Sequence, residues 1–535
     1  MEYSSEKRES NGDLRWQQPM WASFADIVSK QPHKEIVVHE GKRYCYSEVM
    51  RRAQALACYL RSEGIGAGDV VSYQLPNWIE TLIIFLACCR MGAVANPIVP
   101  FYRQREVAHI VSEAGSKLIF LPTAYRGYDY KAMIESTGTT AKLRFIDGRG
   151  ENFGFDDRGA NGVPGRDSPG VETVSLDADA LLLYTSGTES APKGVRHSQR
   201  TLLNECKSVM RTAKVSGEDV IFLASPLTHI TGIIYGHLLP FLLGSKLCLL
   251  DQWSPSAAAK LIESEKCTWT TGATPFLQGL VYDSEAKKKN ISSLRLFRCG
   301  GADVPPKLIR DAREMGIDAY RTYGSSEHPT VTGVSGCPAQ KAATTDGLVH
   351  PSVQVRIASL DDGELEQRPH ETGEIQTKGP EVFLGYKNPA LNADAFTRTG
   401  WFRTGDIGFL DAEGYLTVVG RKKDIVIRKG ENISTKEIED LLNESQLIKE
   451  VAVIGIPDDQ RGEMIVAICV PASAAPLSLE HIVAHLEQYG IAKQKYPERL
   501  ETMAELPKTA AGKIRKNVLR TQFRQAALNR ESDPL

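Results

Sequence analysis

Leu-Leu-Leu-Tyr-Thr-Ser-Gly-Thr-Glu-Ser-Ala-Pro-Lys-Gly-Val runs from Leu181 to Val195. An apolar run that reads as a buried strand gives way at once to hydroxyls, glycines and one lysine. Thr185, Ser186 and Thr188, with Gly187, offer side-chain and backbone donors in a short loop, and Lys193 adds a point charge. Phosphate oxygens need many donors and a cation close to the main chain, so this chemistry suits a polyphosphate. It is not the common P-loop, which needs Gly-Lys-Ser/Thr opening a helix; here Lys193 follows Pro192 and precedes Gly194. Taken alone, the same residues also fit a surface loop with an incidental lysine, since Gly and Ser punctuate any loop.

Outward from this stretch, strand-like and helix-like segments alternate. Arg51 to Ser62 carries apolar residues at helical spacing, Asp69 to Leu75 follows as a strand, Trp78 to Met91 as an apolar helix, and Ala93 to Val99 as another strand. The alternation recurs over Ala259 to Thr274 and Ser293 to Tyr323. Repeated βα units predict an α/β protein with mostly parallel, helix-covered sheets. Asp147 to Asp177, rich in Gly, Asp and Pro, reads as an exposed connection. Near Gly420 the chain turns to a short charged run and then a smaller βα-type segment. This predicts a large domain over 1–420 and a lesser one over 421–535.

Composition narrows the classes. A chain of 535 residues is too long for one ordinary core. Its 64 Lys and Arg against 66 Asp and Glu give a net charge of -2, which supplies no electrostatic case for a nucleic-acid partner. Ten cysteines without CxxC pairs fit reduced thiols in the cytoplasm. Glu2 to Arg15 has no signal-peptide core, and the greasy segment Ile233 to Leu250 is broken by Pro240, Gly244 and Lys246. That segment is expected in a packed core, with no integral membrane association.

Four further clusters carry chemistry. Arg298 to Asp303 (Arg-Cys-Gly-Gly-Ala-Asp) puts paired glycines after a strand, where backbone can approach a flat ligand, and Thr322 to Glu327 (Thr-Tyr-Gly-Ser-Ser-Glu) follows with Tyr323 able to stack on a base. Glu327, beside small hydroxyls, is a hard carboxylate suited to Mg²⁺ against phosphate oxygens. Gly400 to Asp406 sets Asp406 after a tight turn, able to accept two ribose hydroxyls. Gly420 to Asp424 brings Arg421, and Ser434 with Glu437 spells a capping box for a helix starting at Thr435. Pro507 to Lys516 places Lys513 among small residues near the C-terminus. Singly, each cluster also fits a solvated turn, a charged face or a basic tail.

In this order and over this length, the five clusters resemble the adenylate-forming superfamily of acyl-CoA synthetases, adenylation domains and luciferases. The resemblance covers essentially the whole chain. It implies a large N-terminal domain, a small mobile α+β C-terminal domain, and a site in the cleft between them. By that resemblance, Thr185, Ser186, Gly187, Thr188 and Lys193 would handle the β- and γ-phosphates of ATP. Gly301 and Ala302 would line the nucleotide and acyl site, with Tyr323 against the adenine and Gly324 beside it in the nucleotide-binding set. Ser325 and Ser326 would belong to the same turn, Ser326 at the α-phosphate where relatives usually have threonine. Glu327 would bind Mg²⁺, Asp406 the ribose, and Arg421 a further nucleotide oxygen. Lys423 matches the hinge, Gly430 the pantetheine tunnel, and Lys513 the lysine that bridges the acid carboxylate and the α-phosphate. The chain departs from the pattern at Glu189-Ser190, where relatives often have Thr-Gly, and at Thr435, often proline. Glu189 is expected to turn its carboxylate to solvent.

The chemistry implied is activation of an acid as acyl-AMP with loss of pyrophosphate, then acyl transfer to CoA with loss of AMP. The segment Ser225 to Tyr235 holds no acidic residue, while Ile230, Ile233 and Ile234 make it apolar. An unpaired ammonium would be costly there, which favours a fatty or alicyclic acid over an amino acid. Its wording is similar to ligases for medium-chain or alicyclic acids such as cyclohexanecarboxylate. His229 is read either as a gate or CoA-side catalytic contact or as a packed histidine. The expected partners are a small carboxylic acid, ATP and CoA, with monomer and homodimer both open. A stand-alone enzyme loading a carrier-protein thiol, a luciferase-like fate and an inactive nucleotide-binding scaffold are the alternatives.

Overall fold

The computed structural model describes residues 14–146, 174–185, 192–301, 304–428, 431–458, 462–508 and 514–531. The opening apolar run forms the strand Asp179–Thr185, which pairs antiparallel with Lys193–Ser198 so that Lys193 lies opposite Thr185. The two belong to a six-stranded sheet whose other members, Val94–Pro97, Val70–Tyr73, Ser116–Leu121 and Lys142–Phe145, run parallel. Such strands are buried on both faces, so they read as unbroken apolar runs rather than as alternating ones.

A seven-stranded sheet takes the order Asp318–Thr322, Leu296–Gly300, Trp269–Gly272, Val220–Leu223, Lys246–Leu249, Glu35–His39, Lys42–Cys45. All its pairings are parallel except the last, a hairpin. One apolar core takes in side chains from both sheets and from the helix Ile79–Met91. That helix is buried on every side, which explains its lack of a polar stripe. Its two buried charges are accommodated rather than exposed; the Arg90 guanidinium, for instance, lies 4.9 Å over the Trp21 ring.

The greasy segment from Ile233 is core, as expected, but is not one helix. It is a wide π-helical stretch Ile233–Leu238, a short α-helix Leu239–Leu243 and the strand Lys246–Leu249. Among the described residues no helix is long and apolar enough to cross a membrane. The helix expected from Arg51 begins earlier, at Tyr46.

A third, antiparallel sheet follows: Gln354–Ala358, Gly373–Lys378, Phe402–Leu410 and Leu416–Arg421. After a single turn at Lys422–Asp424 the chain enters a separate sheet of Ile425–Arg428, Glu431–Ser434, Ile448–Asp458, Gly462–Pro471 and Arg499–Thr502. This sheet has its own cores on its two faces. The helix Thr435–Leu442 starts where the sequence places it, with Ser434 Oγ accepting from the Glu437 N–H at 3.2 Å. The reciprocal half of the expected capping box is not made. The Glu437 carboxylate instead takes Lys495 at 2.7 Å, because an ammonium is a stronger partner than a backbone amide.

Candidate functional site

Parallel sheets bind ligands at the carboxyl ends of their strands. Two of the sequence clusters fall there side by side, since Gly300 pairs with Thr322 across adjacent strands of the large sheet. The chain leaves the first strand through Gly301, held at φ +79°, a left-handed conformation that disfavours any side chain. It leaves the second through Tyr323 to Glu327. A Cβ on Gly324 would lie 2.1 Å from the Pro329 carbonyl oxygen, so only glycine closes this turn. Ser325 fastens it, its N–H donating to the His328 carbonyl at 2.8 Å and its Oγ accepting from the His328 N–H. The Ser326 carbonyl accepts from His197 Nε2 at 2.8 Å. Burial pushes the His197 pKa down to about 4, so the ring is neutral with its proton on Nε2, the nitrogen that faces a carbonyl.

One end of this turn reaches Asp406. Tyr323 donates its hydroxyl to Asp406 Oδ2 at 2.6 Å, and Arg421 Nε lies 3.1 Å from Oδ1. Asp406 and Arg421 are register partners on the neighbouring strands Phe402–Leu410 and Leu416–Arg421, which fixes the pair. The Asp406 charge holds the Arg421 pKa up, and burial followed by the same carboxylate raises that of Tyr323. The tyrosine is thereby anchored by its hydroxyl, with its ring beside the turn.

The other end reaches Glu327, whose Oε1 accepts from the Tyr386 hydroxyl at 2.9 Å. Among the described residues its second oxygen has no hydrogen-bond partner. Tyr386 is delivered by the segment Phe383 to Lys387, which is stitched on both sides. Phe383 N donates to the Glu327 carbonyl at 2.8 Å, Leu384 N to the Arg196 carbonyl at 2.8 Å, and Lys387 N to the Gly194 carbonyl at 2.7 Å. Lys193 Nζ stands 5.4 Å from the centre of the Tyr386 ring, a cation–π separation. Glu327, Tyr386 and Lys193 thus form a second charged cluster beside the Asp406 one.

The structure therefore gathers Thr185, Lys193, Gly301, Tyr323, Gly324, Ser325, Ser326, Glu327, Asp406 and Arg421 around one edge. Lys423 sits in the exposed turn Lys422–Asp424 just beyond. His229 is an exposed helix N-cap whose Nδ1 accepts from Thr231 N, so it is hydrogen-bonded but not packed in the core. Ile230, Ile233 and Ile234 behind it are buried. Ser186, Gly187, Thr188, Glu189, Ser190, Ala302, Gly430 and Lys513 lie outside the described residues. Sequence reasoning missed Tyr386 and His197. Each acts through a partner far along the chain, and neither sits in a motif with a chemical reading of its own.

A glycine-lined edge of a parallel sheet, flanked by a lysine, a tyrosine-held glutamate and a tethered aspartate, defines a nucleotide-handling α/β enzyme with a separate C-terminal unit. Residues 24–387 match the AMP-binding enzyme family and residues 437–513 match the AMP-binding enzyme C-terminal domain. The chain belongs to this family. It is 34% identical to a medium-chain fatty-acid–CoA ligase of Escherichia coli (strain K12), covering 94% of this chain and 91% of that one. It is 31% identical to an indoleacetate–CoA ligase of Aromatoleum aromaticum, covering 92% and 95%. The crystal structure of ATP-bound MatB from Rhodopseudomonas palustris superposes with a TM-score of 0.83 at 26% identity, over 94% of this chain and 99% of that one.

Proposed function

We propose that the chain is an ATP-dependent carboxylate–CoA ligase. It activates a mainly apolar acid, fatty or alicyclic, as acyl-AMP with release of pyrophosphate, and then transfers the acyl group to CoA with release of AMP. The observation that carries this reading is the Tyr323–Glu327 turn, tied to a ribose-type aspartate at one end and to a carboxylate–tyrosine–lysine cluster at the other. Relatives named for ligating fatty and aryl acids to CoA support it.

A carboxylate is a poor acyl donor because its leaving group would be oxide, and attack on the α-phosphorus replaces oxide with AMP. Two anions must meet in that step, so the chain's task is positioning and charge neutralisation rather than nucleophilic catalysis. Asp406 accepts the ribose hydroxyls, and Arg421 supplies a further cation. Tyr323 lies against the adenine, and Ser326 reaches the α-phosphate. Lys193, with Thr185, Ser186, Gly187 and Thr188, grips the phosphates that depart. Mg²⁺ fits Glu327, since a single carboxylate with one oxygen left open suits an ion whose remaining ligands are phosphates and water. When bound there it neutralises phosphate charge. Lys513 would bridge the acid carboxylate and the α-phosphate, and must withdraw before the thiol arrives. We place the domain boundary at 420/421, with Lys423 in the turn about which the smaller unit rotates and Gly430 beside the pantetheine path. His229, at the mouth of the isoleucine segment, is on the side from which CoA enters. Ten unpaired cysteines support a cytoplasmic setting.

The test is pyrophosphate release on adding ATP, Mg²⁺ and a panel of acids, with and without CoA. Turnover that needs both acid and CoA and yields AMP supports the ligase. Turnover that needs a carrier-protein thiol instead would replace CoA as acceptor, and failure across the panel would refute the reading.

A further inference from the structure

Behind the glycine edge lies a buried group of donors that the reaction above does not use. Arg298, on the strand Leu296–Gly300, is 0% exposed. One guanidinium nitrogen, Nη1, donates to the Tyr235 hydroxyl, and the guanidinium lies 5.5 Å over that ring. Its Nε and Nη2 have no hydrogen-bond partner. No carboxylate lies within ion-pair distance of it among the described residues. The Tyr320 hydroxyl and the Trp269 indole N–H, both fully buried, are also unpartnered. These are neighbours: Arg298 pairs with Tyr320 across adjacent strands, and Trp269 meets Tyr235 edge-on with ring centres 5.6 Å apart.

A buried guanidinium without an anion costs several kcal/mol, and buried donors are almost always satisfied. Four orphaned donor positions in one cluster therefore call for an acceptor that arrives from outside. The buried carboxyl of Glu205 feels the Arg298 charge but does not reach ion-pair distance. Glu205 accepts from Thr330, and its pKa is pushed up to about 8, mainly by burial, so near neutral pH it is protonated and leaves Arg298 uncompensated. The cluster lies close to the ligand-binding edge. Arg298 stands two residues before Gly300, about 7 Å inward from the carboxyl edge of the sheet. Tyr235 ends the same apolar segment, Ser225 to Tyr235, that begins at that edge.

We infer that Arg298, Tyr320 and Trp269 form the floor of the acyl pocket and bind a hydrogen-bond acceptor at the far end of the acid, a second carboxylate fitting best. The inference rests on the ligase reading and sharpens its substrate class: an apolar chain ending in an acceptor, an ω-carboxylate before an ω-hydroxyl. Guanidinium matches carboxylate in fork geometry, and the tyrosine and indole donors complete the shell.

The test measures kcat/KM for pyrophosphate release, with CoA present, on matched acids: hexanoate and hexanedioate, octanoate and octanedioate, decanoate and decanedioate, with ω-hydroxyoctanoate between. At the chain length that spans the pocket, the dioate is expected to exceed the monoacid by about tenfold or more, as one good charged contact predicts, with the hydroxy acid intermediate. Arg298→Met should invert that ratio, mainly through KM for the dioate, and Arg298→Lys should restore part of it. Wild-type preference for the monoacid at every length, or a ratio that Arg298→Met leaves unmoved, overturns the inference and leaves the donors to water. If Arg298→Met fails to fold, the wild-type series and thermal-shift binding of octanedioate against octanoate still decide. If no acid is activated at all, the ligase reading itself falls, and this inference with it.

Discussion

Replacing Tyr386 by phenylalanine isolates one hydrogen bond. The phenol donates to Glu327 Oε1 at 2.9 Å from a buried position, so water does not replace it. Phenylalanine keeps the ring that packs edge-on against Phe383, and keeps the face over which Lys193 stands. A hydrogen bond to a charged group is worth about 1.5–3 kcal/mol, and about 1.4 kcal/mol is tenfold in rate. If Glu327 must be held still for the first half-reaction, Tyr386→Phe should slow acyl-adenylate formation by about 10- to 100-fold. It should also shift the Mg²⁺ dependence to higher concentration. The assay is single-turnover acyl-AMP formation across a Mg²⁺ titration, beside thioester formation from acyl-AMP supplied directly. The second half-reaction has no pyrophosphate to hold and should fall by less than about twofold, within the scatter of an ordinary surface change. Tyr386→Leu should lose a further factor, since the lysine–ring contact is worth about 0.5–2 kcal/mol. Adenylate formation at the wild-type rate with unchanged Mg²⁺ dependence would refute the positioning role. Equal loss in both half-reactions would reduce Tyr386 to a packing residue.

Other consequences are separable from this one. Lys513→Ala should abolish adenylate formation yet spare thioester formation from supplied acyl-AMP; joint loss, or no loss, would show the bridging role to be wrong. Burial holds His197 and His237 near about 4, and His328 and His350 near about 3, against 6.5 when unfolded. The unfolded chain thus binds protons that the folded one refuses. Stability present in full above pH 6.5 is lost as pH falls towards 4, at up to about 1.4 kcal/mol per unit for each histidine. Denaturant unfolding should show a steep, cooperative loss between those values, and a flat profile down to pH 4.5 would contradict it. Glu205 acts in the opposite sense, because its folded pKa of about 8 lies above its unfolded 4.5. Its contribution is complete below pH 4.5 and is lost as pH rises through 8. Glu205→Gln, which cannot ionise and can still accept from Thr330, should therefore raise stability at pH 8 by up to about 4 kcal/mol relative to pH 5. An identical pH profile in the variant would mean that Glu205 is ionised in the folded chain.

What the sequence made legible was whatever depends on near neighbours. The strand that ends at Thr185, the mainly apolar helix Ile79–Met91 and the glycine exits at Gly301 and Gly324 each follow from a local rule, an unbroken apolar run in the first two and backbone sterics in the last. Ser434 as a helix cap was readable for the same reason. Its supposed partner Glu437 was not, because Lys495 competes for it from 58 residues away. The polar residues that tune the site share that property. Tyr386 meets Glu327 across 59 positions, His197 meets Ser326 across 129, and Arg298 meets Tyr235 across 63. Such contacts carry no periodic signature, since each needs only one residue on each side and is aligned by the sheets between. Arg298 makes the point most directly. In sequence it is the first letter of a cluster read for its glycines, and its burial without an anion becomes visible only once Tyr320 and Trp269 stand beside it. Reaction class therefore lies in motifs that turn the chain at strand ends. The substrate choice inferred from Arg298 would lie in side chains a few residues deeper, where neighbours come from the fold and not from the chain.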